Sequence, residues 1–147
     1  MSEPSRLLAD FEALRIAPQD FHHLDHVRVA YDGVAGDMLD AYDFLEATLR
    51  YARTIRAMAE SAGAPGGRTP EKLNVTITFE FMSVIAEHKA DFGGDRETSL
   101  RAHPALCEKD LLAHWYRDDR LRSERARRQF LLPEAVSSAA IDRAPGS

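Results

Sequence analysis

Apolar residues recur along this chain at intervals of three and four, the spacing of one helix face, and sustained alternation with period two is nearly absent. Leu7, Leu8, Phe11 and Leu14 form a first stripe, which predicts a helix from about Pro4 to Ile16. Pro4 suits its first turn, and Ala17-Pro18 ends it. A second helix is expected from Asp20 to Tyr31, before the breaker "DGVAGD". A third runs from Asp40 to Ala62 on Phe44, Leu45, Leu49, Ala52, Ile55 and Met58, with Gly63 as its C′ residue. Gly63 to Lys72, "GAPGGRTPEK", is the clearest loop.

The next segment, "NVTITFEFMSVIAEHKADF", reads two ways. Val75 to Thr78 is rich in β-branched residues and suits a strand. Its continuation is too long for a strand and holds good helix formers. The reading adopted is one helix from Val75 to Ala90, with Asn74 as N-cap. "FGGD" ends it, and Asp95 caps a short helix to Ala102. Pro104 opens another helix, "PALCEKDLLAHWY", and a last one, "RLRSERARRQF", stops before Pro133. Residues 135–147 are small and polar, and a disordered tail is expected. The prediction is an all-α, single-domain bundle of five to seven helices over residues 1–134.

Composition narrows the function classes. The 147 residues carry a formal charge of −5, are 44% hydrophobic and 29% charged. That suits a globular domain and argues against a general nucleic-acid binder, which carries a basic excess. No apolar run approaches the ~18 residues of a membrane span. "MSEPSRLLADFEALR" does not read as a secretory signal. Cys107 is the only cysteine, which excludes an intramolecular disulfide and a cysteine-built zinc cluster and makes a cytoplasmic setting the expectation. The expected partner is a small-molecule substrate, with no nucleic acid and no membrane; a homodimer stays open.

The candidate chemistry starts at "FHHLDHVRVA", residues 21–30, which holds three of the six histidines. On a helical wheel Leu24, Val27, Ala30 and Tyr31 share a face, with His23 and His26 at its edge. Residues three apart can meet a common ligand, and imidazole is the commonest transition-metal ligand. His22 and Asp25 point elsewhere, and Asp25 can orient a ring or pair with Arg28. The plain alternative is that these rings satisfy their own neighbours.

The Asn74 helix sharpens the case. Thr76, Glu80, Ser83 and Glu87 fall in a stripe only ~60° wide, flanked on both sides by apolar residues. Such a line lines an internal cleft or simply faces water. His88, on the apolar face, is expected to be buried and hydrogen-bonded. Two histidines plus one carboxylate is the arrangement of open non-haem iron sites. His23, His26 and Glu80 or Glu87 supply such a set, with His88 or His114 as substitutes. Iron is then the metal expected. A cofactor-free variant uses the same His23, His26, Glu80 and Glu87 for proton transfer in a lyase, dehydratase or isomerase. Asn74, Thr76 and His114 are the residues expected to orient substrate.

Other motifs carry less. Cys107 and His114 share a helix stripe but stand two turns apart, too far for a direct hydrogen bond; Trp115 and Leu111 read as core. The arginines from Arg117 to Arg128 can bind an anion or form a solvated face with intrahelical pairs. "GAPGG" matches no nucleotide-binding pattern.

Several of these residues together resemble a family of short, largely uncharacterised bacterial helical proteins. The resemblance rests on F-x-H-x-D-H-V-x-V-A (Phe21, His23, Asp25, His26, Val27), N-x-T-x-T (Asn74, Thr76, Thr78), K-D-L-L-x-x-W-Y from Lys109 to Tyr116, and A-R-x-x-F-x-x-P-E (Ala126, Arg127, Phe130, Pro133, Glu134). It covers about residues 11–134 and implies an all-helical domain with His23, His26, Asn74 and Thr76 as pattern positions. Relatives carry histidine and an aromatic where this chain has Asn74 and Leu73. The resemblance supplies no reaction; the residues themselves set the expectation of a small soluble enzyme of specialised metabolism with a His/carboxylate pocket acting on a small polar substrate, and the alternative is a non-enzymatic binding or accessory protein with structural histidines.

Overall fold

The computed structural model describes residues 5–34, 41–61 and 74–134. The loop expected over Gly63–Lys72 and the tail expected from residue 135 lie outside the described residues. Those residues form seven α-helices and no strand, the predicted all-α bundle.

Ser5 caps α1 (Arg6–Glu12), its hydroxyl accepting from Leu8 N at 3.1 Å. The helix ends earlier than its apolar stripe implied. Leu14 takes φ +58°, Leu14 N donates to Phe11 O and Arg15 N donates to Asp10 O. That is a Schellman close with leucine where glycine is usual, which hides it from a sequence reading. After a 3₁₀ turn (Pro18–Asp20), α2 (His23–Gly33) starts with the Asp25 carboxylate accepting from His22 N at 3.0 Å. Val27, Val29, Ala30 and Tyr31 are buried, whereas Leu24, expected on that face, is largely exposed.

The long helix α3 (Ala41–Ser61) buries Met58 and packs Phe44 and Ile55 against the core as expected, but its buried face is turned away from Leu45 and Leu49. Tyr51, Met58, Thr48 and Thr54 are buried, while Leu45 and Leu49 are nearly half exposed. The two threonines enter the core because each hydroxyl donates to the carbonyl one turn back, Phe44 O and Arg50 O, both at 2.8 Å.

The predicted Asn74 cap of α4 (Val75–Phe92) is observed, its Oδ1 accepting from Ile77 N at 3.0 Å, and the helix runs two residues past the expected end at Ala90. This is the central helix, packed against α2, α3 and α7. Gly93 ends it at φ +58°, ψ −155°, a conformation open in practice to glycine alone. The Tyr31 hydroxyl is shared between the carbonyls of Gly93 and Gly94. Lys89 reaches back from α4 and donates to Tyr31 O and Val34 O, placing a cation at the carbonyl end of α2.

Asp95 caps α5 (Arg96–Ala102) as expected. The helix predicted from Pro104 is instead two 3₁₀ turns, Pro104–Cys107 and Leu111–His114. Leu106 and Leu111 are both buried. Five residues apart, they would point ~140° apart on one helix, so the chain must break to bury both. Leu111 is core, but Trp115 is 44% exposed, contrary to expectation. The predicted last helix is also divided, into α6 (Asp118–Leu121) and α7 (Glu124–Arg128). Ser123 makes the break: its hydroxyl donates to Arg120 O and accepts from Ala126 N. Arg122–Asp118 and Arg128–Glu124 are exposed i,i+4 pairs, the solvated face weighed above.

Candidate functional site

The thin polar stripe of α4 does not meet the histidines. Its first half is a seam with the C-terminal segment. Thr76 is fully buried; its hydroxyl donates to Gln129 O at 2.7 Å and accepts from Leu131 N at 3.0 Å. Asn74 Nδ2 donates to Leu121 O at 2.6 Å. The Tyr116 hydroxyl donates to Leu131 O at 2.8 Å and lies 3.5 Å from Glu80 Oε2. Burial pushes the Glu80 carboxyl above its ordinary range, which the Tyr116 hydroxyl partly offsets. The Tyr116 hydroxyl thus faces two acceptors, the Leu131 carbonyl and the Glu80 carboxyl. Glu87 is exposed, and so is His114. The polar groups of Asn74 and Thr76, expected to orient a substrate, therefore bind the chain's own backbone.

The two motif histidines part company. His26 Nδ1 sits 2.8 Å from the Tyr51 hydroxyl, and its ring packs edge-on against Phe21, centroids 4.4 Å apart. His23 is half-buried, and its Nε2 is buried with no hydrogen-bond partner among the described residues. Asp25 pairs with Arg28 at 3.4 Å, one of the two roles foreseen for it. Among the described residues no three His, Cys, Asp or Glu side chains are grouped to hold a metal ion, so His23, His26 and Glu80 are not assembled as a ligand set. His88 is half-buried rather than buried, with Nε2 3.2 Å from the Ser99 hydroxyl and the His103 ring 4.3 Å away. Burial and His103 push its pKa down. Cys107 packs half-buried beside the core, and burial raises its thiol pKa.

What His26 leads to is a cleft that sequence reading missed. A cavity of about 310 Å³ lies between α1, α2 and α3, with Met82 of α4 also lining it. Leu8, Phe11 and Glu12 line it from α1, and Val29 and Gly33 from α2. Asp43, Glu46, Ala47, Arg50 and Tyr51 form a single stripe along α3 at steps of three and four, all on the lining. Glu12 and Arg50 pair across the helices at 2.7 Å. The Tyr51 ring packs near Phe11 and Phe81, 5.8 and 6.3 Å between centroids. Burial drives its phenol pKa far up, so Tyr51 stays protonated at neutral pH. The α3 stripe was legible in principle. Tyr51 follows Ala47 by four and precedes Thr54 by three, but counting threonine as polar turned the predicted face toward Leu45 and Leu49.

Among the described residues no helix is long and apolar enough to cross a membrane. Comparison with protein-family models, with curated proteins and with solved structures returned no match for this chain.

Proposed function

We propose that the protein is a small acid–base enzyme acting on a molecule held in the α1–α2–α3 cleft, with Tyr51 and His26 as its proton-transfer pair. The observation that carries this reading is the 2.8 Å contact between the Tyr51 hydroxyl and His26 Nδ1, made by a residue that lines the cleft. Pockets of ~300–1,000 Å³ with apolar walls and a few polar groups are the usual small-molecule sites. A neutral phenol can protonate a developing oxyanion, and an imidazole behind it can replace the proton. Leu8, Phe11, Val29, Ala47 and Met82 would exclude water from the reacting atoms. They also favour a substrate with an apolar body rather than a wholly polar one. Isomerisation, dehydration and elimination need this acid at the oxygen and also a base that takes the proton from carbon, for which the carboxylates of the cleft lining are the candidates.

The test is solvent deuterium exchange. The full chain is incubated in D₂O with a panel of small carbonyl compounds and followed by proton NMR. The expected result is accelerated exchange at a carbon acid in at least one compound. Tyr51→Phe and His26→Asn, each folded by circular dichroism, should lower that rate by about 10²–10⁴-fold. Full-rate exchange in Tyr51→Phe, or no exchange in any compound, defeats the proposal. Binding without exchange would favour the non-catalytic binding protein.

A further inference from the structure

The charges around the cleft say more about its ligand; this inference rests on the cleft being the site. Its lining has three carboxylates, Glu12, Asp43 and Glu46, and one cation, Arg50. Arg50 is already held by Glu12, with Nη2 2.7 Å and Nε 3.0 Å from Glu12 Oε2. Asp43 and Glu46 make no ion pair among the described residues. They lie one turn apart on α3, at the mouth, on the stripe that ends at Tyr51. Inside, the lining turns apolar and aromatic, with the Phe11 and Tyr51 rings 5.8 Å apart. Carboxylates and aromatic faces share one electrostatic preference, for positive charge. Among the described residues an anion would meet two carboxylates outside any ion pair and no cation other than the engaged Arg50.

We infer that the cleft takes an organic cation: an amine whose apolar body fills the space among Leu8, Phe11, Val29 and Met82 and whose ammonium stays beside Asp43 and Glu46. The uncharged body supplies the hydrophobic burial, and the two exposed carboxylates select the sign of charge. Their contribution is long-range and therefore sensitive to salt.

Three indole probes of one shape test this on the ¹⁵N-labelled full chain: tryptamine, indole-3-ethanol and indole-3-acetate. Shift changes at the amides of Val29, Ala47 and Met82 report occupancy. At ~10 mM salt, tryptamine is expected to bind about five- to tenfold more tightly than the alcohol, and the acetate most weakly. At ~0.5 M salt the preference should shrink below about twofold, because screening shortens to a few ångströms. Asp43→Asn with Glu46→Gln should erase the preference while leaving indole-3-ethanol binding unchanged. Equal binding of all three probes, or tightest binding of the acetate, overturns the cationic ligand and leaves the cleft as the site. No shift at the cleft amides with any probe at millimolar concentration overturns both.

Discussion

His23 and His26 stand three residues apart and differ in what surrounds them. His26 has a phenol partner, whereas among the described residues His23 has a buried nitrogen with none. An unsatisfied buried polar atom costs about 1–3 kcal/mol, and its replacement by an apolar group of similar size can be neutral or stabilising. His23→Leu is therefore expected to match or exceed wild type by up to about 1 kcal/mol in urea unfolding. A clear loss of stability would mean that this nitrogen has a partner. Thr76 is the opposite case, with both lone pair and hydrogen used in the interior. Thr76→Val should cost about 2–4 kcal/mol by leaving Gln129 O and Leu131 N unpaired, and Thr76→Ser much less. If the two variants unfold at the same midpoint, the hydroxyl is not what holds the segment. The sequence marked Asn74, Thr76 and the histidines as unusual, but a motif does not say whether a polar atom faces a ligand or its own backbone. Thr76 and His26 look alike in a motif, yet one bonds backbone groups and the other a phenol.

At the scale of elements, local signals were legible and faces were less so. Ser123 inside an apparent helix, Leu14 in a left-handed close and the buried threonines of α3 each defeat a rule based on hydrophobic spacing. In each, a hydroxyl or a turn satisfies backbone groups that the rule ignores. By contrast Asn74 and Asp95, whose side chains cap in the ordinary way, were found from sequence. The junction of α4 and α5 offers a pH test. His88 meets His103 at the end of α5, bonds Ser99 and has Asp91 nearby on its own helix. Its folded-state pKa lies below 6.5, so the unfolded chain binds more protons in that interval. Stability should then fall as pH drops from about 6.5 through the folded value, and level off below it. His88→Asn should flatten this part of the urea-midpoint profile between pH 7.5 and 5. An unchanged slope would assign the acid sensitivity to other groups.

For the whole molecule, helical class and single-domain organisation followed from period and composition. The site did not, because the cleft is made by three helices whose relative rotation no single helix encodes. Tyr51 was hidden among residues of α3, and its partner lies 25 positions earlier. The two halves of the molecule also divide their work. The α1–α2–α3 side holds the cleft, and the far face of α4 is closed by residues 121–131. A chain ended after Arg122 loses α7, Phe130 beside Phe79 and both partners of Thr76. It should unfold at a markedly lower urea concentration than the full chain, with extra exposed apolar surface reported by dye binding. A truncated chain of wild-type stability would show that α4 needs no cover.

The Thr76 seam joins residues 53 and 55 positions apart, so its second strand of contacts is made late in synthesis. Until residues 129–131 have been made and released, the face of α4 that bears Thr76 has no cover from this part of the chain. A chain emerging at ~5–20 residues per second spends seconds in that condition. The polar line of Thr76, Glu80, Ser83 and Glu87 keeps this waiting surface from being a continuous apolar strip. The hydroxyl that locks the finished domain thus belongs to a line of groups that also keeps the uncovered helix face polar.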